Sequence, residues 1–353
     1  MKTYRAALVG AGRMGAFIDN EGHTNLPYSH SAGYEASSRT ELVAGADMRA
    51  DVLEKFGERY GVPKERQYTD FREMITTEKP DILSVATQPH QRIEVALFAI
   101  ENGVKALFLE KPLSASLEEA QKLREAVEAN GTILNMGSLR RWRPNYIKMR
   151  EIIASGDLGE LQTLLCLNRA TLFNMGSHWI DTLNVLNGDY PATWVSGYVT
   201  DAESSIDGDT VLTDPVGGGM IGYENGVIAH LIDRPGNFEF HACCANGTIV
   251  ALGDNHVEIR RSGQPAEPVA FDVISPTVAC IDDLANALDT GEPTRGGMTA
   301  AYANAEVIFA ILESHKRGGV RLPIPLTDST IVFKPTNLGP RQPKFVHVRE
   351  TAG

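Results

Sequence analysis

Three glycines near the start of the chain are spaced so that they could hold a phosphate group. Gly10, Gly12 and Gly15 follow a short apolar run in the pattern Gly-x-Gly-x-x-Gly. In such a turn the first glycine permits the tight bend, the second lets a pyrophosphate approach the backbone, and the third lets the next helix pack closely. This context predicts a dinucleotide-binding turn that includes Arg13 and Met14. The alternative is an ordinary strand-to-helix turn, which glycine also favours.

An acidic residue, Asp47, ends the second apolar run, where the ribose of a dinucleotide would lie. A carboxylate at that place binds the ribose hydroxyls of NAD, so Asp47 and Met48 are predicted cofactor contacts. Arg49 is also placed to pair with a 2′-phosphate, which keeps NADP as an alternative. The interval from the glycines exceeds the usual ~20 residues, and an insertion at 19–28 accounts for the excess. The other role open to Asp47 is to cap the strand end.

Composition excludes several classes of partner. The chain has 353 residues, of which 42% are hydrophobic and 22% charged, as in globular proteins of two domains. A formal net charge of −12 opposes binding to nucleic acid and to anionic membranes. The four cysteines show no zinc-type spacing, so we expect no metal and a reducing, cytoplasmic location. No apolar run approaches the ~18 residues that a membrane helix needs.

The elements that must position these residues alternate regularly over residues 1–135. Short apolar runs alternate with helical patterns, which predicts a doubly wound, parallel α/β domain that binds NAD or NADP. One such helix is predicted over 116–130, where Leu117, Ala120, Leu123 and Val127 recur at helical spacing. The predicted strands are 6–9, 42–46, 82–86, 106–109 and 132–135.

The character of the sequence changes in residues 136–353. Strand-like runs follow one another with short connectors, which predicts a large, mostly antiparallel open sheet in an α+β domain. Turns are expected at 224–226 and 245–247, both of which end in Asn-Gly. Two late helices, 278–289 and 298–316, are expected to cover this sheet. The predicted strands are 161–170, 194–200, 227–233, 238–244, 248–252 and 257–261, and the segment from Pro323 onward is expected to be a surface strap or partly disordered.

Four further motifs carry a resemblance to a known family. They are the run Ser84–Thr87, the triplet Glu110-Lys111-Pro112, the segment Arg140-Arg141-Trp142, and the helix start Gly176–Asp181. With the glycine turn they resemble the glucose-fructose oxidoreductase / inositol dehydrogenase / rhizopine catabolism (Gfo/Idh/MocA) family over nearly the whole chain. The resemblance implies an oxidoreductase that acts on a hydroxyl of a sugar or cyclitol. It also implies a homodimer or homotetramer that forms through the C-terminal sheet.

The resemblance also assigns site residues. Lys111 and His178 match the family's catalytic pair, and Asn174 stands where the family usually has aspartate. The substrate is expected to meet Lys111, Arg140, Arg141, Trp142, Asn174 and His178. The cofactor is expected to meet Gly10, Gly12, Arg13, Met14, Gly15, Asp47, Met48, Arg49, Ala86, Thr87, Gln88, His90, Glu110 and Lys111.

Hydride removal from an alcohol carbon needs a base for the hydroxyl proton. Lys111 can act near neutrality only if burial or nearby positive charge lowers its pKa, whereas His178 titrates there without help. Lys111 is therefore given the principal role, and His178 that of base, relay or orienting donor. Asn174 cannot accept a proton, so we expect it to bond a substrate hydroxyl and to leave the pKa of Lys111 lower than an aspartate would.

Several of these residues keep an alternative role. The alternative for Lys111 is a solvated lysine in a loop, and that for His178 is a helix histidine with its hydrogen bonds satisfied. Arg140 and Arg141 are alternatively members of surface ion pairs, and Trp142 alternatively packs in the core. The insertion 19–28 is either a lid over the cofactor cleft or a surface loop, and its His23, with His30, forms no metal cluster that the sequence can place. Arg169, His230, Arg234 and His241 face either the substrate or a partner subunit.

Three functions follow, in decreasing order of support. The first is a dehydrogenase dependent on NAD or NADP that acts on sugars or cyclitols. The second is an NAD-dependent glycosidase or lyase that oxidises a sugar hydroxyl transiently. The third is a non-catalytic nucleotide-binding sensor, which Asn174 favours but which the presence of Lys111 and His178 opposes.

Overall fold

The computed structural model describes residues 2–21, 27–169, 171–336 and 342–345. These residues form a parallel sheet near the N-terminus and a larger mixed sheet after it, together with helices that cover both. The predicted fold class, α/β with a second, mostly antiparallel open sheet, is confirmed. No helix in the described ranges is both long and apolar enough to cross a bilayer.

The first sheet has six parallel strands in the order β3-β2-β1-β4-β5-β6. The order reverses between β1 and β4, and ligands of such sheets bind in the crevice at the carboxyl ends of strands at that point. The sequence did not predict β3, because two residues carry no periodicity. The strands are β1 (Tyr4–Val9), β2 (Thr40–Ala46), β3 (Gln67–Tyr68), β4 (Ile82–Val85), β5 (Ala106–Leu109) and β6 (Ile133–Met136).

Five α-helices connect these strands. The last of them is capped at its start by Ser116, whose hydroxyl accepts from the amide of Glu119 at 3.1 Å, and at its end by Gly131, which has a left-handed φ of +64°. Its four predicted apolar positions are all buried, as the helical spacing requires. The helices are α1 (His30–Ala36), α2 (Ala50–Tyr60), α3 (Phe71–Glu78), α4 (Pro89–Glu101) and α5 (Leu117–Asn130).

The chain after the glycine turn differs from the expected helix. A five-residue π-helix, Arg13–Phe17, is followed by a 3₁₀ turn, Ile18–Glu21, and the regular helix begins only at His30. The carboxylate of Asp19 accepts from the backbone amides of Tyr28 at 2.7 Å and Ser29 at 3.0 Å, which closes the ends of the insertion. Residues 22–26 of the insertion lie outside the described ranges, and the two alternatives, a lid and a surface loop, both stay predictions.

The second sheet has nine strands in the order β16-β15-β14-β13-β7-β12-β11-β8-β17, antiparallel except for the pair β12 and β7. Both predicted Asn-Gly turns join antiparallel neighbours, as expected. A separate small sheet has the order β18-β10-β9. The strands are β7 (Leu161–Leu167), β8 (Ala192–Val199), β9 (Ile206–Asp207), β10 (Thr210–Val211), β11 (Gly217–Tyr223), β12 (Ile228–Ile232), β13 (Glu239–Cys244), β14 (Gly247–Leu252), β15 (Val257–Arg260), β16 (Glu267–Pro268), β17 (Leu322–Pro323) and β18 (Val332–Phe333).

The later helices are α6 (Pro144–Ser155), α7 (Ser177–Leu186), α8 (Ala202–Ser205), α9 (Pro276–Thr290) and α10 (Met298–Lys316). The expectation that α9 covers the second sheet is wrong. Its Cys280, Ile281 and Leu284 pack with Tyr4 and Phe108 of the first sheet. Helix α10 meets both sheets, since its start packs in the core of the first and its end in the core of the second. The chain thus returns to the first sheet after it has built the second, and the division at residue 135 stays a prediction.

One face of the second sheet carries α7 and α10, and the other carries no helix within the described residues. Leu164 and Cys166 are in the core under α7, so their neighbour Leu165 points to the open face. His230 and His241 are both in register with Leu165 and therefore lie on the open face as well.

Candidate active site

The glycine turn is built as its pattern predicts. Gly10 has φ +92°, and a side chain there would meet the carbonyl oxygen of Ala86 at 2.8 Å. A Cβ at Gly15 would lie 2.0 Å from the carbonyl oxygen of Gly10. At Gly12 the nearest atom is the Arg49 guanidinium at 3.6 Å, so this side of the turn is open. Two of the glycines are therefore required by the protein itself, while Gly12 leaves space for a ligand.

The two residues between the second and third glycines have internal contacts. Arg13 forms a fork with Glu21, with its Nε 2.5 Å from Oε1 and its Nη2 2.7 Å from Oε2. Met14 is half-buried, and its sulfur lies 3.8 Å from the Arg13 Nη1. The Arg13 guanidinium therefore serves to close the turn 13–21, and a direct cofactor contact by Arg13 or Met14 stays a prediction.

Asp47 lies directly after β2, at the edge of the cleft. Its Oδ1 accepts from the amide of Arg49 at 3.0 Å and lies 3.7 Å from the Arg49 Nε. Burial raises the pKa of this carboxyl above its ordinary value, against the lowering effect of these bonds. Arg49 also donates to the Gln342 side chain at 3.4 Å. Asp47 and Arg49 thus form one pair, in which the carboxylate suits a ribose and the guanidinium a phosphate.

A cleft of about 270 Å³ opens between the ends of β1, β2 and β4. One of the polar residues that line it is Thr87. The Oγ1 of Thr87 is buried and has no hydrogen-bond partner in the described structure, so it is free to donate to a ligand. Together with the open side of Gly12, this atom fits a dinucleotide along the crevice. The cleft is lined by Val9, Gly10, Ala46, Asp47, Met48, Thr69, Phe71, Arg72, Thr87, Gln91, Glu94 and Val95.

The sequence predicted four of the residues that line this cleft, namely Gly10, Asp47, Met48 and Thr87. The lining residues of α3 and α4 were not predicted, because no sequence motif marks them. The order of the strands in the sheet places these two helices beside the crevice. Ala86 supports Gly10 through its carbonyl, Gln88 begins α4 as its N-cap, and His90 is exposed on that helix.

A buried arginine that no motif marks, Arg92, connects the loop after β4 with the loop after β5. Arg92 on α4 donates to the carbonyl oxygens of Thr87 and Pro112. Burial lowers the pKa of this arginine to about 10, which still leaves it charged at neutral pH. Arg92 therefore holds the loop after β4 against the loop after β5, which carries Lys111.

Lys111 lies opposite the turn 172–176. Its Nζ donates to the side-chain oxygen of Asn174 at 2.6 Å and to the Asn174 carbonyl oxygen at 3.0 Å. Desolvation lowers the pKa of Lys111, as do the charges of Arg92 and Arg13, against the raising effect of Glu110 and Asp214. The structure thus brings together two of the three predicted catalytic residues.

His178 stands in the first turn of α7, just after that turn. Its Nδ1 is buried without a partner in the described structure. Desolvation holds the pKa of His178 well below its ordinary value, and the positive charges of Lys111, Arg140 and Arg143 lower it further. His178 is therefore neutral at physiological pH and carries a ring nitrogen that is free for a ligand.

Asp214, which no motif in the sequence marks, positions the turn that carries Asn174. Its two carboxylate oxygens accept from the backbone amides of Phe173 and Asn174, each at 2.8 Å. Burial raises the pKa of Asp214, although these two bonds and the charge on Lys111 lower it. Asp214 lies forty residues after Asn174 in the sequence, so no local pattern predicts this contact and only the fold shows it.

Glu110 also has a partner that no motif in the sequence marks, namely His30. Its Oε1 lies 3.1 Å from the Nε2 of His30, and its Oε2 accepts from the amide of Lys111 at 3.2 Å. The Nδ1 of His30 lies 2.8 Å from the Ser84 hydroxyl, which in turn lies 2.7 Å from the Tyr34 hydroxyl. All four side chains are buried. The His30 that formed no metal cluster in the sequence thus belongs to a polar chain beneath Lys111.

The segment 140–142 serves the core. Arg140 forms a bidentate pair with Asp254 at 2.9 and 3.0 Å, and Arg141 binds Asp181 and Asp189 at 2.8 Å each. Both arginines and Asp181 are buried, so these are not the surface pairs that the sequence left open. Trp142 is 1% exposed, so it packs in the core, which was the alternative to the predicted substrate contact, and that contact is wrong.

Arg141 cannot bind a ligand, because its guanidinium donors are already bonded to other groups of the protein. Its Nε donates to both oxygens of Asp181, at 2.8 and 2.9 Å, and its Nη1 donates to the Arg295 carbonyl oxygen. Arg141 therefore joins the turn 139–142 to α7, the helix that begins beside His178. The side chain of Arg140 is 10% exposed, and a substrate contact there stays a prediction.

None of the remaining candidates forms a hydrogen bond with Lys111 in the described structure. His230 and His241 are on the open face of the second sheet, and Arg234 pairs with Glu239 at 2.8 Å. Among the described residues, no group of three or more histidine, cysteine or acidic side chains is arranged to hold a metal ion.

Comparison with known proteins agrees with the family that the motifs indicated. The profile of the oxidoreductase family with an NAD-binding Rossmann fold (Gfo/Idh/MocA) matches residues 4–138. The inositol 2-dehydrogenase of Salmonella typhimurium is 26% identical over 159 residues, which are 45% of this chain and 44% of that enzyme. The rhizopine catabolism protein MocA of Rhizobium meliloti is 28% identical over 225 residues, which are 59% of this chain and 65% of that protein.

A solved structure extends the likeness to both sheets. The inositol dehydrogenase homologue of Azotobacter vinelandii, solved with NADH and myo-inositol, superposes with a TM-score of 0.74. It is 18% identical, and the match covers 91% of this chain and 98% of that one. At this identity the likeness shows the fold.

Over residues 4–138 the chain is similar to the NAD-binding Rossmann domain of the Gfo/Idh/MocA oxidoreductase family. The predicted resemblance is thereby confirmed, and NAD as the cofactor is confirmed for that domain, because the matched family is NAD-binding. The match to the Salmonella enzyme spans less than half of the enzyme's length, so it concerns this domain above all.

Proposed function

We propose that the protein is an NAD-dependent oxidoreductase that transfers a hydride between the nicotinamide and a hydroxyl-bearing carbon of a sugar or cyclitol. The observation that carries the proposal is the pairing of Lys111 with Asn174 beside the neutral His178. The names of the relatives support it, since they include inositol 2-dehydrogenase and D-glucoside 3-dehydrogenase.

In the proposed mechanism, different residues bind the cofactor, take the substrate proton and orient the base. The turn 10–15 and Asp47 bind the cofactor, which supplies the hydride acceptor when it is bound. Lys111, whose pKa desolvation lowers, takes the hydroxyl proton of the substrate. Asn174 holds the Lys111 amine in place, and His178 offers its free Nδ1 to the same substrate or to a neighbouring hydroxyl.

The test is a screen of free sugars and cyclitols with NAD, in which NADH is measured by its absorbance. We expect net NADH formation with at least one polyol and none with the Lys111→Ala variant. Turnover of a glycoside with catalytic NAD and no net NADH would instead indicate transient oxidation. NADP in place of NAD tests whether Arg49 accepts a 2′-phosphate.

We further propose that the protein is a homodimer or homotetramer whose subunits meet through the open face of the second sheet. Four large apolar residues are exposed on its strands, namely Tyr198, Met220, Ile232 and Leu252. Monomers rarely leave such a patch uncovered. Light scattering of the purified protein measures the mass, and Met220→Lys is expected to shift it toward the monomer. A cytoplasmic location stays a prediction.

A further inference from the structure

Glu110 and Lys111 are neighbours of opposite charge that do not pair with each other. No Glu110–Lys111 ion pair within 4.0 Å exists in the described structure, although a buried carboxylate strongly favours the nearest ammonium. Lys111 turns its Nζ to Asn174, and Glu110 turns its carboxylate to His30. Each of the two side chains is therefore held by a partner of its own.

His30 is the partner that holds Glu110. Its ring stacks on Phe108 at a centroid distance of 3.9 Å, which fixes the plane of the imidazole. Ser84 and Tyr34 fix its other nitrogen through the chain of hydroxyls. With a neutral ring, Tyr34 donates to Ser84, Ser84 donates to Nδ1, and Nε2–H donates to Glu110, so that each of these polar groups is satisfied.

The chain ends inside the protein. Tyr34 is fully buried beneath α9, where the thiol of Cys280 is its neighbour. A chain of hydroxyls without an outlet to solvent orients its members and does not conduct protons. On the other side Gly137 packs against the carboxylate, because a Cβ there would lie 3.1 Å from the Glu110 Oε1.

We propose that His30 is a positioning residue that holds the Glu110 carboxylate away from the Lys111 amine, so that this amine is presented to Asn174 and the substrate. The catalytic role of this arrangement rests on the proposed function, whereas the contacts of His30, Glu110 and Lys111 do not depend on it.

The charges that face Lys111 set the direction of the expected effect. Glu110 and Asp214 favour the ammonium form, whereas Arg92, Arg13 and burial disfavour it, and His178 is neutral. Burial raises the pKa of Glu110, but the His30 bond and the charges of Lys111 and Arg92 hold it below its ordinary value. Glu110 is therefore ionised at the alkaline pH where lysines titrate. Without His30 it would turn to Lys111 and stabilise the ammonium.

The experiment measures the protonation of Lys111 directly. The protein without substrate is labelled with acetic anhydride at a series of pH values, and the acetylation of Lys111 is followed by mass spectrometry. In His30→Ala the labelling midpoint is expected to rise by about one pH unit, the size of shift that an added opposite charge produces. An unchanged midpoint, or one shifted to lower pH, would overturn the proposal.

Three further variants separate positioning from a general loss of packing. Glu110→Gln should lower the midpoint, and in that background His30→Ala should have no further effect. His30→Gln, whose amide can donate to Glu110, should keep the wild-type midpoint and remains informative if His30→Ala does not fold. His256→Ala breaks a similar contact of an exposed histidine, whose Nε2 lies 2.9 Å from the Glu258 carboxylate, and should change nothing.

If Glu110→Gln does not abolish the His30→Ala shift, the carboxylate is not its cause and the proposal fails. Because labelling needs no substrate, this outcome is independent of the screen with sugars and cyclitols. A protein that shows the labelling shift but oxidises no polyol would keep the positioning role of His30 and lose the proposed function.

Discussion

The two sides of the active site follow different rules. On the cofactor side, the residues that the motif singled out act through the backbone, since Gly10 bends the chain and Gly15 permits close packing. On the substrate side, the charged residues of the segment 140–142 bind carboxylates of the protein itself. A motif made of backbone requirements is therefore predictable from sequence, whereas the role of a charged side chain depends on which partner the fold brings to it.

The largest expected effect tests the backbone side. Gly15→Ala places a Cβ 2.0 Å from the Gly10 carbonyl oxygen, so we expect it to lower the free energy of unfolding by more than about 4 kcal/mol. Gly12→Ala is the matched control, because its Cβ meets only the tip of Arg49. It should keep the melting temperature and weaken NAD binding by about tenfold. Equal melting temperatures for both variants would contradict the assignment.

The next effect tests the catalytic pair. Lys111→Met removes the proposed base and is expected to lower kcat by about 10²- to 10⁴-fold, the usual contribution of a positioned base. Binding of NAD, measured by titration calorimetry, should change much less. A variant that keeps most of its kcat on a polyol that the wild type oxidises would exclude Lys111 as the base.

The third prediction separates a core arginine from a substrate arginine. Arg141→Ala leaves Asp181 buried without its partner, and is expected to lower the free energy of unfolding by about 3–5 kcal/mol in urea titrations. The control, Arg72→Ala, removes an exposed pair with Glu94 and should cost at most about 1 kcal/mol. If Arg141 gripped the substrate instead, KM would rise and the unfolding curve would stay in place.

The smallest expected effect concerns Asn174, which stands where the family usually has aspartate. Asn174→Asp places a carboxylate on the Lys111 amine, which is expected to raise its pKa by about one unit. Because the base works only when it is neutral, the acid limb of kcat/KM should move to higher pH by that amount. Asn130→Asp, at the exposed end of α5, should leave the profile unchanged. An unmoved profile in Asn174→Asp would mean that this contact does not tune Lys111.

The fold was largely predictable, and its exceptions have physical reasons. Strand β11 was missed because glycine disfavours strands, yet Gly217, Gly218 and Gly219 are there because neighbouring strands approach within 2.2–2.4 Å of where a Cβ would lie. Helix α9 was assigned to the wrong sheet, since an apolar helical face does not specify the surface that it covers.

The site was predictable to a lesser degree. Lys111, Asn174 and His178 were identified from motifs, and the structure joins the first two by a hydrogen bond. Asp214, Arg92 and His30 were missed, because each acts through a contact with a loop or side chain that lies far away in the sequence. A single sequence has no pattern that marks such contacts.

The sequence by itself determined the parallel and antiparallel architecture, the glycine turn and the lysine after β5. These features follow from hydrophobic periodicity and from local backbone requirements, which a few neighbouring residues express. Only the tertiary structure decided which charges are paired. The partners of Arg141, Glu110 and Arg140 lie 40, 80 and 114 positions away, and burial then determines whether each charge stabilises the core or serves the chemistry.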